Sequence, residues 1–77
     1  MTNQQKIELI GERIQDLVKV TMKNGVISHG HFKQKTDYKE LIDIGYYLFQ
    51  PESFRYPMEK ILPIELKISN MEYLDYF

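Results

Sequence analysis

The chain of 77 residues has no cysteine and no tryptophan, and only three prolines and four glycines. Without cysteine there is no disulfide framework and no thiolate metal site, which suits a reducing cytoplasm. No apolar run approaches the roughly 20 residues that a membrane span needs. The opening MTNQQKIELIGERIQ carries charges through its apolar positions and does not read as a signal peptide. No Pro/Gly/Ser linker and no repeat divides the chain, so one domain is expected. Neither sign of charge dominates: ten Lys/Arg stand against eleven Asp/Glu. Dedicated nucleic-acid binders are usually basic, because phosphate contacts supply much of their affinity. The balance disfavours that class, although a local basic face remains open. Six tyrosines and four phenylalanines are many for this length. They stabilise a small core, and tyrosine is also enriched at interfaces.

Residues 3–16 read as an amphipathic helix. Ile7, Ile10, Ile14 and Leu17 recur at helical spacing. Asn3 is the expected N-cap. Gly11 weakens the middle by about 1 kcal/mol relative to alanine, so the helix runs to Asp16 or stops at Gly11. Residues 17–35 read as a β-hairpin, with Val18, Val20 and Met22 alternating with Lys19, Thr21 and Lys23. A two-residue Asn24-Gly25 turn would put Lys19, Thr21 and Lys23 on the face of Val26 and Phe32. A three-residue loop with Gly25 in the left-handed region instead pairs Met22 with Val26. It gathers Val18, Val20, Met22, Val26, Gly30 and Phe32 on one face. Register follows the buried face, so the three-residue loop is preferred. Residues 40–50 read as a third strand bent at Gly45. Ser53–Tyr56 and Ile61–Ile68 read as two further short strands, with Pro63 opposed to a central position. In the tail, 69–77, Ser69-x-x-Glu72 is a capping-box pattern, so a short terminal helix or a frayed end is expected. One helix and five short strands suit a small five-stranded barrel over about 17–68, because no second long helix covers an open sheet.

At the hairpin the sequence resembles the first motif of Sm and Lsm proteins, bacterial Hfq included. The stretch is Val18-Lys-Val20-Thr-Met22-Lys-Asn-Gly25, then Gly30-His-Phe32, with Asp37 and Leu41 near the family's Asp and later Leu. The resemblance covers residues 5–45 and implies an Sm-like barrel behind an N-terminal helix, assembled fourth strand to fifth strand. The family reads RNA through an Asn after its Asp and an Arg-Gly pair at a later turn. This chain has Asp37-Tyr38-Lys39-Glu40-Leu41 and Tyr56-Pro57-Met58-Glu59-Lys60 at those places, and it also lacks the Tyr-Lys-His of Hfq. The RNA site is therefore not carried over. The second half, FRYPMEKILPIEL, is similar to the SH3-like barrels of bacterial YolD-type proteins, so a bacterial or phage source is expected.

The candidate sites each have a bland reading beside the functional one. His29 and His31 point the same way on a strand and suit a metal only with a third ligand from Asp37, Asp43 or a partner. No spacing supplies that ligand, so no metal or cofactor is assigned. Lys19, Lys23, His29, His31, Lys33 and Lys35 form an outward row that suits a phosphate backbone or an acidic partner. Lysines on outer strands also keep edges soluble, and that reading is preferred. Tyr46, Tyr47, Phe49, Phe54 and Tyr56 read first as core and cross-strand pairs, with the exposed members forming a protein contact. Tyr73, Leu74, Tyr76 and Phe77 dock on the barrel itself or on a partner. Catalytic motifs are missing: there is no Gly-x-Ser-x-Gly, no phosphate loop and no His-Glu-x-x-His. Ser28 and His29 are neighbours on a strand and point apart. The sequence thus reads as a binding module, for a protein or for itself, with nucleic acid on the Lys/His face as the alternative.

Overall fold

The computed structural model describes residues 2–34, 36, 38–52, 55–57 and 60–76, and the backbone alone at Tyr76. Helix α1 spans Asn3–Gly11. Strands β1 (Val18–Met22) and β2 (Ile27–Phe32) form the first hairpin. Helix α2 (Lys39–Asp43) precedes β3 (Tyr46–Pro51). Strand β4 (Ile64–Lys67) passes through a single 3₁₀ turn, Ile68–Asn70, into β5 (Met71–Tyr76). All pairings are antiparallel and the sheet order is β4-β3-β2-β1-β5.

The cap of α1 is Thr2, not Asn3. The Thr2 hydroxyl accepts from the Gln5 N–H (3.2 Å) and the Gln5 side chain accepts from the Thr2 N–H (2.8 Å). Only Thr2 has a glutamine three residues on, which makes the reciprocal capping box. The helix stops at Gly11, and two tight turns follow, closed by Arg13 N–H to Ile10 O and Asp16 N–H to Arg13 O.

The β1–β2 hairpin has the expected register. Val18 lies opposite Gly30 and Val20 opposite Ser28, while the Met22 N–H donates to the Val26 carbonyl (2.8 Å). Gly25 has φ +89°, a left-handed conformation that glycine adopts without a Cβ penalty. The Asn24 side chain accepts from the Val26 N–H (3.0 Å) and closes the loop. Val26 sits on the predicted face but at its rim, where it is exposed.

Three further expectations are corrected. The segment 40–50 is half helix: α2 occupies Lys39–Asp43 and strand begins only at Tyr46. Gly45, at φ +95°, ends that helix, and its N–H donates to the Ile42 carbonyl, rather than bending a strand. Ser53–Tyr56 is not the fourth strand in its described part, where Arg55 and Tyr56 form a bend; Ser53 and Phe54 lie outside the described residues. From Met71 to Tyr76 the tail is neither helix nor frayed end. It is β5, paired with β1 along Val18↔Tyr76 to Met22↔Met71, and it buries Met71 and Leu74 in the core.

The concave face carries the core: Val18, Val20, Phe32, Tyr47, Phe49, Ile68, Met71 and Leu74, with Ile10 of α1 and Ile42 of α2. Phe32 packs edge-on against Tyr47 (5.3 Å) and tilted against Phe49 (5.0 Å). Gly30 lies where β2 meets β3 most closely. A Cβ there would overlap the Gln50 carbonyl oxygen and stand 2.9 Å from Phe49 Cζ.

The sheet is strongly curled, and chain length demands it. Lys67 sits beside Tyr46 at one corner of the ladder, and Met71 beside Met22 at the diagonally opposite corner. In a flat sheet of this register the two would be ~35 Å apart. Four peptide steps reach at most ~14 Å. The 3₁₀ turn bridges the gap: Ile68 N–H donates to Gly45 O (2.9 Å) before β3, and Lys23 N–H donates to Asn70 O (2.8 Å) after β1. No β4–β5 ladder occurs among the described residues, so in pairing terms the sheet is open. Lys6 of α1 is buried over this corner, its Nζ donating to the Ile68 carbonyl (3.3 Å).

Candidate interaction surface

The convex face of β2-β1-β5 carries half of the predicted basic row, Lys19, His29 and His31. Lys19 lies directly between His29 on β2 and Asp75 on β5. One step along, Thr21 lies between Ile27 and Tyr73, which are 53% and 59% exposed. His31 is half-buried, and its Nδ1 hydrogen-bonds the Asp16 carbonyl (3.0 Å), with the ring N–H as donor. Lys33 is exposed beyond β2, its carbonyl taking the Tyr38 hydroxyl. Lys23 sits past the other end of β1, in the field of Lys6, which Glu72 also reaches. Lys23 and Lys33 are therefore roughly 25 Å apart along the strands. Lys35 lies outside the described residues. Carboxylates interrupt the row, so the structure brings Lys19, His29 and His31 together but spreads the rest. Among the described residues no group of three or more His, Cys, Asp or Glu could hold a metal; Asp37 is not described.

The predicted aromatic interface is also divided. Tyr47 (1% exposed) and Phe49 (0%) are core residues, because the concave phase of β3 places them against Phe32. Neither is available to a partner. Burial raises the Tyr47 phenol above its ordinary pKa, partly offset by the hydrogen bond with Tyr38. Tyr46 is half-buried opposite Lys67 on the convex side, Tyr56 is exposed, and Phe54 is not described.

Assembly through strand edges, which the resemblance implies, turns on the outer strands, and these are β4, within the expected Ile61–Ile68 strand, and β5. The Lys33 N–H donates to the Leu48 carbonyl (3.0 Å), so Leu48 addresses β2. Antiparallel alternation then turns Tyr47 and Phe49 toward β4, and their partners Leu66 and Ile64 back toward β3. The backbone groups of Glu65 and Lys67 are left on the outer edge, which no strand pairs among the described residues. Beside them, Leu62 is 83% and Ile64 41% exposed. Pro63 precedes β4 and does not interrupt its four residues. The other edge is dressed differently. Lys23 N–H addresses Asn70, so Thr21 and Lys19 face β5, and the Leu74 carbonyl points away from β1. Arg13 Nη1 donates to that carbonyl (2.9 Å) from the turn after α1. Leu62 beside Pro63 was a visible signal of an apolar strand start; the role of Arg13 had no local signal at all.

A groove of ≈ 670 Å³ is lined by α1, the turns after it, Gln34 and Thr36, with Glu8, Glu12 and Asp16 beside Ile7, Ile14 and Tyr47. These carboxylates, on α1 and the turns after it, read as solvated surface, and the groove is assigned no role. No described helix is long and apolar enough to cross a membrane. No protein-family model, curated protein or solved structure matches the chain.

Proposed function

We propose that the chain is a small Sm-like or SH3-like barrel that works as a binding module, taking a protein partner or another copy of itself by strand addition. The curl imposed by the Lys67–Met71 connection supports the barrel reading, since a five-stranded sheet bent that far brings its ends together. The observation that carries the function is the β4 edge, with Glu65 and Lys67 presenting backbone groups beside exposed Leu62 and Ile64. Monomeric sheet proteins blunt or cover such edges, and a partner strand satisfies both the backbone groups and the apolar surface.

Solution mass at low and high salt, with anisotropy on single-stranded RNA, tests the reading. Strand pairing and apolar contact are weakly screened, so association above the monomer mass should persist at high salt. A monomer that binds RNA with an affinity falling steeply in salt would reject it. That second reading, nucleic acid on the Lys/His face, is favoured by Lys19, His29 and His31 lying together beside Tyr73. Asp75 opposite Lys19 weakens it.

A further inference from the structure

The two edges of the sheet are not equivalent, and the difference selects a partner. On β5 the outward Leu74 carbonyl is already taken by the Arg13 side chain, reaching it from the turn after α1 (2.9 Å). A head-to-tail assembly would need that edge as well as β4. A two-fold assembly needs β4 alone.

The sequence of β4, Ile64-Glu65-Leu66-Lys67, is complementary to itself when reversed. Place a second copy antiparallel, centred on Leu66. Glu65 then falls directly opposite Lys67 of the second copy, and Lys67 opposite its Glu65. These are the two residues whose backbone N–H and C=O face the free edge, so each pair exchanges both of its hydrogen bonds. Opposite charges at directly facing positions stabilise a cross-strand pair, and like charges oppose it. Lys67 still has extended backbone (φ −73°, ψ 117°), so strand geometry holds to the end of the motif. Leu66 meets Leu66 across the axis, and exposed Ile64 and Leu62 flank it.

Resting on the strand-addition reading above, we infer that the partner of the β4 edge is a second copy of this chain, joined β4 to β4 across a two-fold axis in a closed dimer. The sheet then runs continuously through ten strands, and the contact ends there because both β4 edges are consumed. A contact of four residues a side is small, so the dimer is weak and concentration-dependent.

Sedimentation equilibrium over a concentration series up to about 1 mM, the range where a weak contact is read, tests this on four full-length chains. Wild type should approach twice the monomer mass. Lys67→Glu sets two carboxylates against each other in both symmetric pairs, and Glu65→Lys does the same with two ammonium groups. Each should weaken the dimer on the order of tenfold to a hundredfold. The double swap Glu65→Lys/Lys67→Glu restores opposite charges in both pairs and should recover the dimer. Circular dichroism on all four confirms that the fold is retained, since both side chains are on the solvent side of an edge. A wild type that stays monomeric throughout, or a particle larger than a dimer, overturns the inference. A dimer indifferent to all three variants also overturns it, while leaving strand-addition or other self-association standing. Salt-sensitive RNA binding by a monomer removes both.

Discussion

Gly30→Ala should be among the most damaging single-methyl changes in this chain. Alanine at a glycine site usually gains about 0.4–1 kcal/mol by restricting the unfolded chain. Here that gain meets a steric obstacle, because the added Cβ overlaps the Gln50 carbonyl oxygen and stands 2.9 Å from Phe49 Cζ. A carbonyl held in a ladder cannot rotate aside as a side-chain tip can. Either β2 and β3 separate locally, or Phe49, which is fully buried, leaves its contact with Phe32. Overpacking costs about 1–3 kcal/mol. Opening a β2–β3 hydrogen bond adds about 1 kcal/mol. The net loss is then about 2–3 kcal/mol, against roughly 4–11 kcal/mol for a domain of this size. Urea unfolding followed by circular dichroism should show a clear fall in midpoint. Thermal unfolding should shift down by about 10–20 °C. A variant as stable as the wild type would refute the close approach of β2 to β3 on which the argument depends.

The matched control is Gly11→Ala, where a Cβ meets nothing within 4 Å at the end of α1; it should stabilise by about 0.5–1 kcal/mol in the same assay. Burial holds the pKa of Lys6 below its ordinary value, Lys23 adds to the shift and Glu72 opposes it. A lowered lysine pKa means the unfolded chain binds more protons, so stability should rise as pH climbs from the folded value toward about 10.4, and Lys6→Met should abolish that rise. Urea midpoints between pH 7 and 10 read the slope of both proteins. The raised Tyr47 phenol works the other way: its contribution is intact below about pH 10 and is lost as pH climbs through the folded value, a loss Tyr47→Phe should not show. Removing Arg13 as alanine leaves the Leu74 carbonyl without that donor and should cost about 1–2 kcal/mol. Chemical denaturation of Arg13→Ala and Arg13→Lys separates the loss of the hydrogen bond from the loss of charge.

The parts of the fold legible in the sequence are those set by near neighbours. The first hairpin was readable in its register because a period of two and an Asn-Gly loop are both local, and the loop length decides which side chains share the buried face. Leu48 and its neighbours were harder. Apolar on both sides, residues 40–50 do not distinguish helix from strand by periodicity, and Gly45 serves equally as a strand bend or a helix end. The tail misled for a physical reason. Ser69-x-x-Glu72 is a helix start when only local contacts count, but β1 offers Met71–Tyr76 a ladder and two core positions. Non-local pairing outweighs a capping preference of about 1 kcal/mol.

The candidate sites divide along the same line. That Lys19, His29 and His31 share a face followed from alternation alone. That Asp75 sits opposite Lys19 depended on β5 joining β1, some fifty residues away in the chain. Tyr47 and Phe49 were recognisable as candidate core residues, and the phase of β3 decided that they are core and not contact.

From the sequence by itself came the N-terminal helix ahead of a β-hairpin, the hairpin register and the weakness of α1 beyond Gly11. These depend on side-chain periodicity and backbone preferences acting over a few residues. Only the tertiary structure decided which strand joins β1, which edge is unpaired among the described residues and where Arg13 reaches the other. Those are properties of chain segments brought together from opposite ends, and no local pattern carries the free energy that selects them.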